Sequence, residues 1–136
     1  MTTLATFFTR FILPAVLISA TVSCANRDDD FSNEQYVGSW DWIATTGPNV
    51  NESPTSTGKT AELILTPEGT YTIKENDVVQ SEGNYSLYKG VTSTDHVEKM
   101  YIDFSNDPDK MVNSVNATDL SLGDDSVNGL TYHYKK

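Results

Sequence analysis

Period-two alternation of apolar and polar side chains dominates this chain after residue 35, and it is the pattern of β-strands with one buried face. Over the same region no apolar stretch has the 3.6-residue period of a helix long enough to cover a sheet. Turn signals such as Pro67-Glu68-Gly69 and Asn76-Asp77 separate the alternating segments. We count eight extended segments, at residues 36–44, 61–65, 71–74, 79–87, 100–104, 111–115, 120–122 and 130–134.

Eight strands joined mostly by hairpin-length connections leave two open edges unless the sheet curls up, and closure into a barrel removes both edges. We therefore expect an all-β fold, a small eight-stranded antiparallel up-and-down barrel, with a two-layer sandwich as the alternative. Gly83 lies in mid-strand and predicts a bulge or a sharp bend, as closing a small barrel requires. A polar loop is expected at residues 89–96.

The first extended segment brings more apolar area than any other short stretch. Trp40, Trp42 and Ala44 fall on one face, because successive side chains of a strand point to opposite faces. We expect the other strands to wrap around the two indoles, with Trp40 in a structural role. Gly38 would let the backbone bend or pack closely where the strand begins.

Residues 1–23 have the features of a secretory signal. Arg10 precedes a mostly apolar run, Phe11 to Ser23, that is too short to span a bilayer comfortably. The sequence Thr21-Val22-Ser23-Cys24 resembles the lipobox of bacterial lipoproteins, which implies that Cys24 carries a lipid such as palmitate and begins the mature chain. Ordinary signal-peptidase cleavage after Ala25 is the alternative, because Ser23-Cys24-Ala25 also satisfies the small-x-small rule.

Residues 24–35 would then be an acylated cysteine followed by an acidic tether. Asp28, Asp29 and Asp30 form a run of like charge, which by itself describes a solvated spacer. An acidic cluster just after the lipidated cysteine resembles the export signal of lipoproteins of the Bacteroidetes. That resemblance implies a lipid-anchored protein on the outer face of a Gram-negative outer membrane, with the periplasmic face as the alternative.

Residues 36–136 resemble the short lipocalin-like domains of Bacteroidetes lipoproteins. The likeness lies in the order and spacing of Gly38-Ser39-Trp40, residues 63–73, residues 82–87 and Leu120-Ser121-Leu122. It implies a small calycin-like barrel with Trp40 packed at the closed end under a basic side chain of the last strand, either Lys135 or Lys136.

An eight-stranded barrel is about the size at which inward side chains either fill the interior or leave room for one small ligand, and the residues leave both outcomes open. The loop Thr45 to Lys59 follows the first strand, and its composition favours a solvated, mobile flap over a packed lid. If a cavity exists, we expect it to be lined by Trp42, Leu63, Tyr71, Tyr85, Met100, Ile102, Tyr132 and Tyr134.

The formal net charge of −10 argues against nucleic acid as a partner. We expect no enzyme, metal or cofactor, since His96 and His133 stand apart and residues 124–129 favour a polar turn over a calcium loop. Two functions stay open for a protein expected to be monomeric. The barrel binds a small hydrophobic or aromatic ligand, or it is filled and acts through its rim loops on a partner protein or glycan, protease inhibition included.

Overall fold

The computed structural model describes residues 31–136, so the expected signal segment, Cys24 and the acidic run Asp28–Asp30 lie outside the described residues. Among residues 31–136, no helix has the length and apolar character needed to cross a bilayer. A 3₁₀ turn spans Glu34–Tyr36 and a short helix, α1, spans Pro54–Thr57. The strands are β1 (Gly38–Gly47), β2 (Val50–Glu52), β3 (Ala61–Leu65), β4 (Thr70–Glu75), β5 (Val78–Val91), β6 (Glu98–Phe104), β7 (Lys110–Val115), β8 (Asp119–Gly123) and β9 (Thr131–Lys135).

Every neighbouring pair of strands is antiparallel, and β1 pairs with both β3 and β9. The sheet therefore closes on itself, and the predicted eight-stranded up-and-down barrel is confirmed over the sandwich. Strand β2 is a ninth strand, which pairs with the last three residues of β1. Together with α1 it gives regular structure to part of the expected loop Thr45 to Lys59.

One end of the barrel is closed around Trp40, which is fully buried. Its Nε1 donates a hydrogen bond to the Tyr36 carbonyl at 2.8 Å, so the 3₁₀ turn is tied beneath the indole. Lys136 Nζ lies 4.6 Å from the centre of the indole, a cation–π distance. Gly38 has φ +143°, and a Cβ there would lie 2.5 Å from Lys136 Cε. The predicted close approach at Gly38 is thus made by Lys136.

A bulge in β1 overturns the expectation that Ala44 faces inward. Trp42 is opposite Tyr134 and Ala44 is opposite His133, so one extra residue lies between them on β1. As a result Thr45, at 5% exposure, takes the next inward position, opposite Tyr132. The two tryptophans do face the same way, as predicted.

A bulge also occurs in β5, but not at Gly83. Ser81 is opposite Ile73 and Val79 is opposite Lys74, which leaves Gln80 as the extra residue. Gly83 instead admits the β6–β7 loop, because a Cβ there would lie 2.7 Å from Asn106 Nδ2. The expected polar loop at 89–96 is shorter than predicted, since β5 continues to Val91.

The outer face carries a largely buried aromatic stack, and alternation alone does not predict that burial. Tyr88 and Tyr101 stack with ring centres 5.1 Å apart, and Tyr101 is only 6% exposed. The β8–β9 loop covers it: Asp125 Oδ2 accepts a hydrogen bond from the Tyr101 hydroxyl at 2.9 Å, and Asp125 also accepts from the Ser93 backbone N–H. These bonds join the β8–β9 loop to the β5–β6 turn.

A candidate ligand cleft at the barrel mouth

A cleft opens where β1 and β2 end and where β3 and β9 begin, toward the barrel end opposite Trp40. Its volume is about 250 Å³. We call it the mouth cleft, and it is lined by Trp42, Thr45, Glu52, Lys59, Ala61, Glu75, Leu130, Tyr132 and Tyr134.

The aromatic wall of the mouth cleft follows from the register of β1 with β9. Trp42 faces Tyr134 and Thr45 faces Tyr132, so three large rings and one small polar side chain are adjacent. Trp42 Nε1 donates a hydrogen bond to Thr45 Oγ1 at 2.8 Å, which fixes the indole against the strand. Because the β1 bulge turns Thr45 inward, this bond depends on the bulge.

A polar cluster holds Tyr132 in place. Its hydroxyl donates to Asp124 Oδ2 at 3.1 Å, while Lys110 Nζ lies 2.6 Å from Asp124 Oδ1 and 4.6 Å from the centre of the Tyr132 ring. Burial opposes ionisation of Asp124, but Lys110 and the bonds from Leu130 and Tyr132 hold its pKa below the usual range. The predicted polar turn at residues 124–129 therefore begins with an ion pair.

The tyrosine hydroxyls at the cleft stay protonated at neutral pH. Burial, then the charge of Asp124, raises the pKa of Tyr132 to about 12. Burial, with Tyr132 beside it, also raises the pKa of Tyr134 to about 12. Both hydroxyls can consequently donate hydrogen bonds, although that of Tyr132 is already given to Asp124.

The rim of the mouth cleft is charged, with Glu52 at the end of β2, Lys59 just before β3 and Glu75 at the end of β4. Lys59 Nζ lies 4.0 Å from Glu75 Oε2. Helix α1 begins at a capping box, in which the Ser56 backbone N–H donates to Ser53 Oγ at 3.2 Å. This cap lies in the segment that joins Glu52 to Lys59, the two rim residues between β2 and β3.

A second depression, the side cleft, shares Trp42 and Ala61 with the mouth cleft and has a volume of about 460 Å³. Its wall is mostly polar, and three of its side chains are carboxylates. It is lined by Asp41, Trp42, Pro54, Thr60, Ala61, Glu62, Lys74 and Asp77.

Three of the eight side chains predicted to line a cavity meet at the mouth cleft: Trp42, Tyr132 and Tyr134. Of these three, Tyr132 and Tyr134 also pack against the filled core. The other five belong to the core or pack against it and do not line the mouth cleft, namely Leu63, Tyr71, Tyr85, Met100 and Ile102. Tyr71 packs edge-on against Phe104 with ring centres 4.8 Å apart.

The hydroxyls of the core tyrosines reach the β3–β4 and β6–β7 loops. Tyr85 donates to the Thr66 carbonyl at 2.9 Å, and Tyr71 donates to Asp107. The interior is therefore packed around these rings, and the two clefts described above lie at the mouth and the side of this packed core.

Sequence reasoning missed the smaller and the charged lining residues. Thr45 could not be predicted because the bulge reverses the alternation before it. Ala61 and Leu130 lie at strand ends, where the alternating segment is too short to predict which way a side chain faces. Glu52 and Lys59 fall in the loop Thr45 to Lys59, which its composition predicts to be a solvated, mobile flap, so the length of that loop was the available signal.

No group of three His, Cys, Asp or Glu side chains within residues 31–136 is arranged to hold a metal ion. His133 lies on the outer face, where its Nε2 is 3.2 Å from Thr46 Oγ1. No known protein family, curated protein or solved structure matches this chain.

Proposed function

We propose that this chain is a lipid-anchored, lipocalin-like binding protein of a Gram-negative outer membrane, and that the mouth cleft holds a small hydrophobic or aromatic molecule. The observation that carries the proposal is the wall formed by Trp42, Tyr132 and Tyr134 around an open volume of about 250 Å³. A concave, mostly apolar lining with a few placed polar groups is typical of small-molecule sites.

The size of the cleft limits the ligand. A protein cavity of about 150 Å³ is large enough for benzene. The mouth cleft, at about 250 Å³, thus has room for a compound of one or two rings rather than a long lipid. Leu130 and Ala61 add apolar contact beside the aromatic wall.

We propose binding rather than catalysis because the carboxylate and the indole N–H beside the aromatic wall are already engaged. Asp124 is bound by Lys110 and by Tyr132, and the Trp42 indole N–H is given to Thr45. A general base needs a free lone pair within reach of the substrate. The carboxylate of Asp124 is instead committed to holding Tyr132.

Proton–nitrogen correlation NMR tests the site directly, since the two tryptophans give two indole N–H signals. Titration with 2-naphthol, a neutral two-ring probe, should shift the Trp42 signal in a saturable way. The Trp40 signal is the internal control and should stay in place, because that indole is fully buried and bound to Tyr36. An unmoved Trp42 signal at millimolar probe would refute the site.

A pair of phenylalanine substitutions separates the cleft from non-specific adsorption. Ala61→Phe should fill the mouth cleft and abolish the Trp42 shift. Ser86→Phe places the same ring on an exposed position of β5 and should leave the titration unchanged. If both variants bind like the parent, the probe adheres elsewhere, and the alternative of a filled barrel acting through its rim loops on a protein or glycan would be favoured.

The anchor is tested separately in cells. Palmitate should label the full chain and fail to label a Cys24→Ser variant, whereas an unlabelled parent would refute acylation. Protease treatment of intact cells should degrade the barrel if it is displayed outside. Resistance in intact cells with cleavage in lysed cells would place it on the periplasmic face instead.

A further inference from the structure

We infer that the mouth cleft selects an organic cation, an aromatic compound bearing an ammonium group, over neutral or anionic compounds of the same shape. This inference rests on the proposed function, because it names the ligand class of the same cleft. Three sets of observations support it: the aromatic wall, the charges on the rim and the carboxylates of the adjoining side cleft.

The aromatic wall suits a cation because ring faces carry negative electrostatic potential. Tyr132 already shows this property within the protein, since Lys110 Nζ lies 4.6 Å from its ring centre. The charge of Lys110 is matched by Asp124 at 2.6 Å, so it does not repel a cation from the cleft. Trp42 and Tyr134 are two further rings at the same site.

The rim has an excess of negative charge. Lys59 lies 4.0 Å from Glu75, so its ammonium group is partly neutralised within the rim. Glu52 is exposed, and among residues 31–136 no lysine lies within ion-pair distance of it. A bound ammonium group would therefore find Glu52 at the rim.

The side cleft adds to the negative electrostatic potential at the mouth cleft. Together the two clefts carry five carboxylates, those of Asp41, Glu52, Glu62, Glu75 and Asp77, against the ammonium groups of Lys59 and Lys74. A cleft lined by one sign of charge focuses the potential and raises the local concentration of the opposite ion. The net charge of −10 acts in the same direction at longer range.

Three naphthalene probes of one shape test the inference: 2-naphthol, 2-naphthoate and the trimethylammonium derivative of 2-methylnaphthalene. Isothermal titration calorimetry on the full chain at low salt should give a Kd for the cation about five-fold lower than for the neutral probe, as cation–π and ion-pair contacts of this kind produce. The anion should bind more weakly than either, and added salt should narrow the differences.

Glu52→Gln should reduce the ratio of cation affinity to neutral-probe affinity to about two, since one exposed ion pair is removed. Glu98→Gln is the matched control: it removes an exposed carboxylate that lies 4.0 Å from Lys89, away from the cleft, and should leave the ratio unchanged. Equal affinities for the three probes, with the Trp42 signal still shifting, would overturn the cation preference and leave the binding site standing. Failure of all three to bind would overturn the proposed function itself.

Discussion

Replacing Trp40 by phenylalanine should destabilise the barrel strongly, because this side chain joins three parts of the closed end. The indole is fully buried, its N–H is bonded to the Tyr36 carbonyl at 2.8 Å, and Lys136 Nζ lies 4.6 Å from the ring centre. Phenylalanine keeps one six-membered ring but removes the N–H donor and part of the volume.

The magnitude follows from these contacts. A buried carbonyl left without its donor costs about 1–3 kcal/mol. The weakened cation–π contact with Lys136 adds about 0.5 kcal/mol or more, and the vacated space adds a cavity cost. We expect a loss of about 2–4 kcal/mol in the free energy of unfolding, which for a domain of about 100 residues lowers Tm by at least 8 °C.

Urea and thermal unfolding of the isolated barrel, followed by far-ultraviolet circular dichroism, measure this loss. Trp42→Phe is the matched control, since it makes the same chemical change two residues away on the same face. Its N–H partner, Thr45 Oγ1, borders the open cleft, where water can replace the lost donor, so we expect a cost of about 1 kcal/mol. Equal costs for the two variants would refute the view that Trp40 closes the barrel while Trp42 lines an opening.

Three further outcomes follow from particular contacts. Gly83→Ala should lower Tm by several degrees, because its Cβ would meet the β6–β7 loop at Ser105, and circular dichroism melting checks this. Burial opposes ionisation of Asp124, but Lys110 lowers its pKa below the usual range. The ion pair therefore stabilises the fold above the unfolded pKa of about 4, and this stabilisation is lost as the pH falls. Urea titrations at about pH 2–5 should show a steeper loss of stability for the parent than for Asp124→Asn. The difference in absorbance at 295 nm between the parent and a Tyr134→Phe variant should show that Tyr134 ionises near pH 12, later than an exposed tyrosine; a midpoint near 10 would contradict its burial.

The fold was predictable because alternation and turn chemistry agree along most of the chain. Asn76 and Asp77 have φ of 52° and 67°, the left-handed values that a two-residue hairpin demands and that these residues tolerate. The closed end was predictable as well, apart from the choice of lysine: Lys136, rather than Lys135, lies over Trp40.

The site was only partly predictable, because bulges change which residues face inward. The bulges opposite His133 in β1 and at Gln80 in β5 have no glycine or proline to mark them, and each reverses the alternation beyond it. Thr45 rather than Ala44 is buried for this reason. The burial of Tyr101 was not predictable for another reason, since it depends on a loop that lies far away in sequence.

The distribution of side-chain size along the barrel determines where a ligand can fit. Near Trp40 the interior is filled by large side chains, and the fully buried Leu63, Leu65 and Tyr71 leave that half closely packed. Toward the other end, β3 begins with Ala61 and the β1 bulge presents Thr45, so two small side chains lie beside three large rings. The open space of the mouth cleft therefore depends on a contrast in side-chain size to which the bulge contributes. A Thr45→Leu variant should fold, because its side chain extends into the cleft rather than into the packed half, and it should lose the 2-naphthol response of Trp42 in the same NMR titration. Retained binding in a folded Thr45→Leu variant would show that the ligand space lies elsewhere.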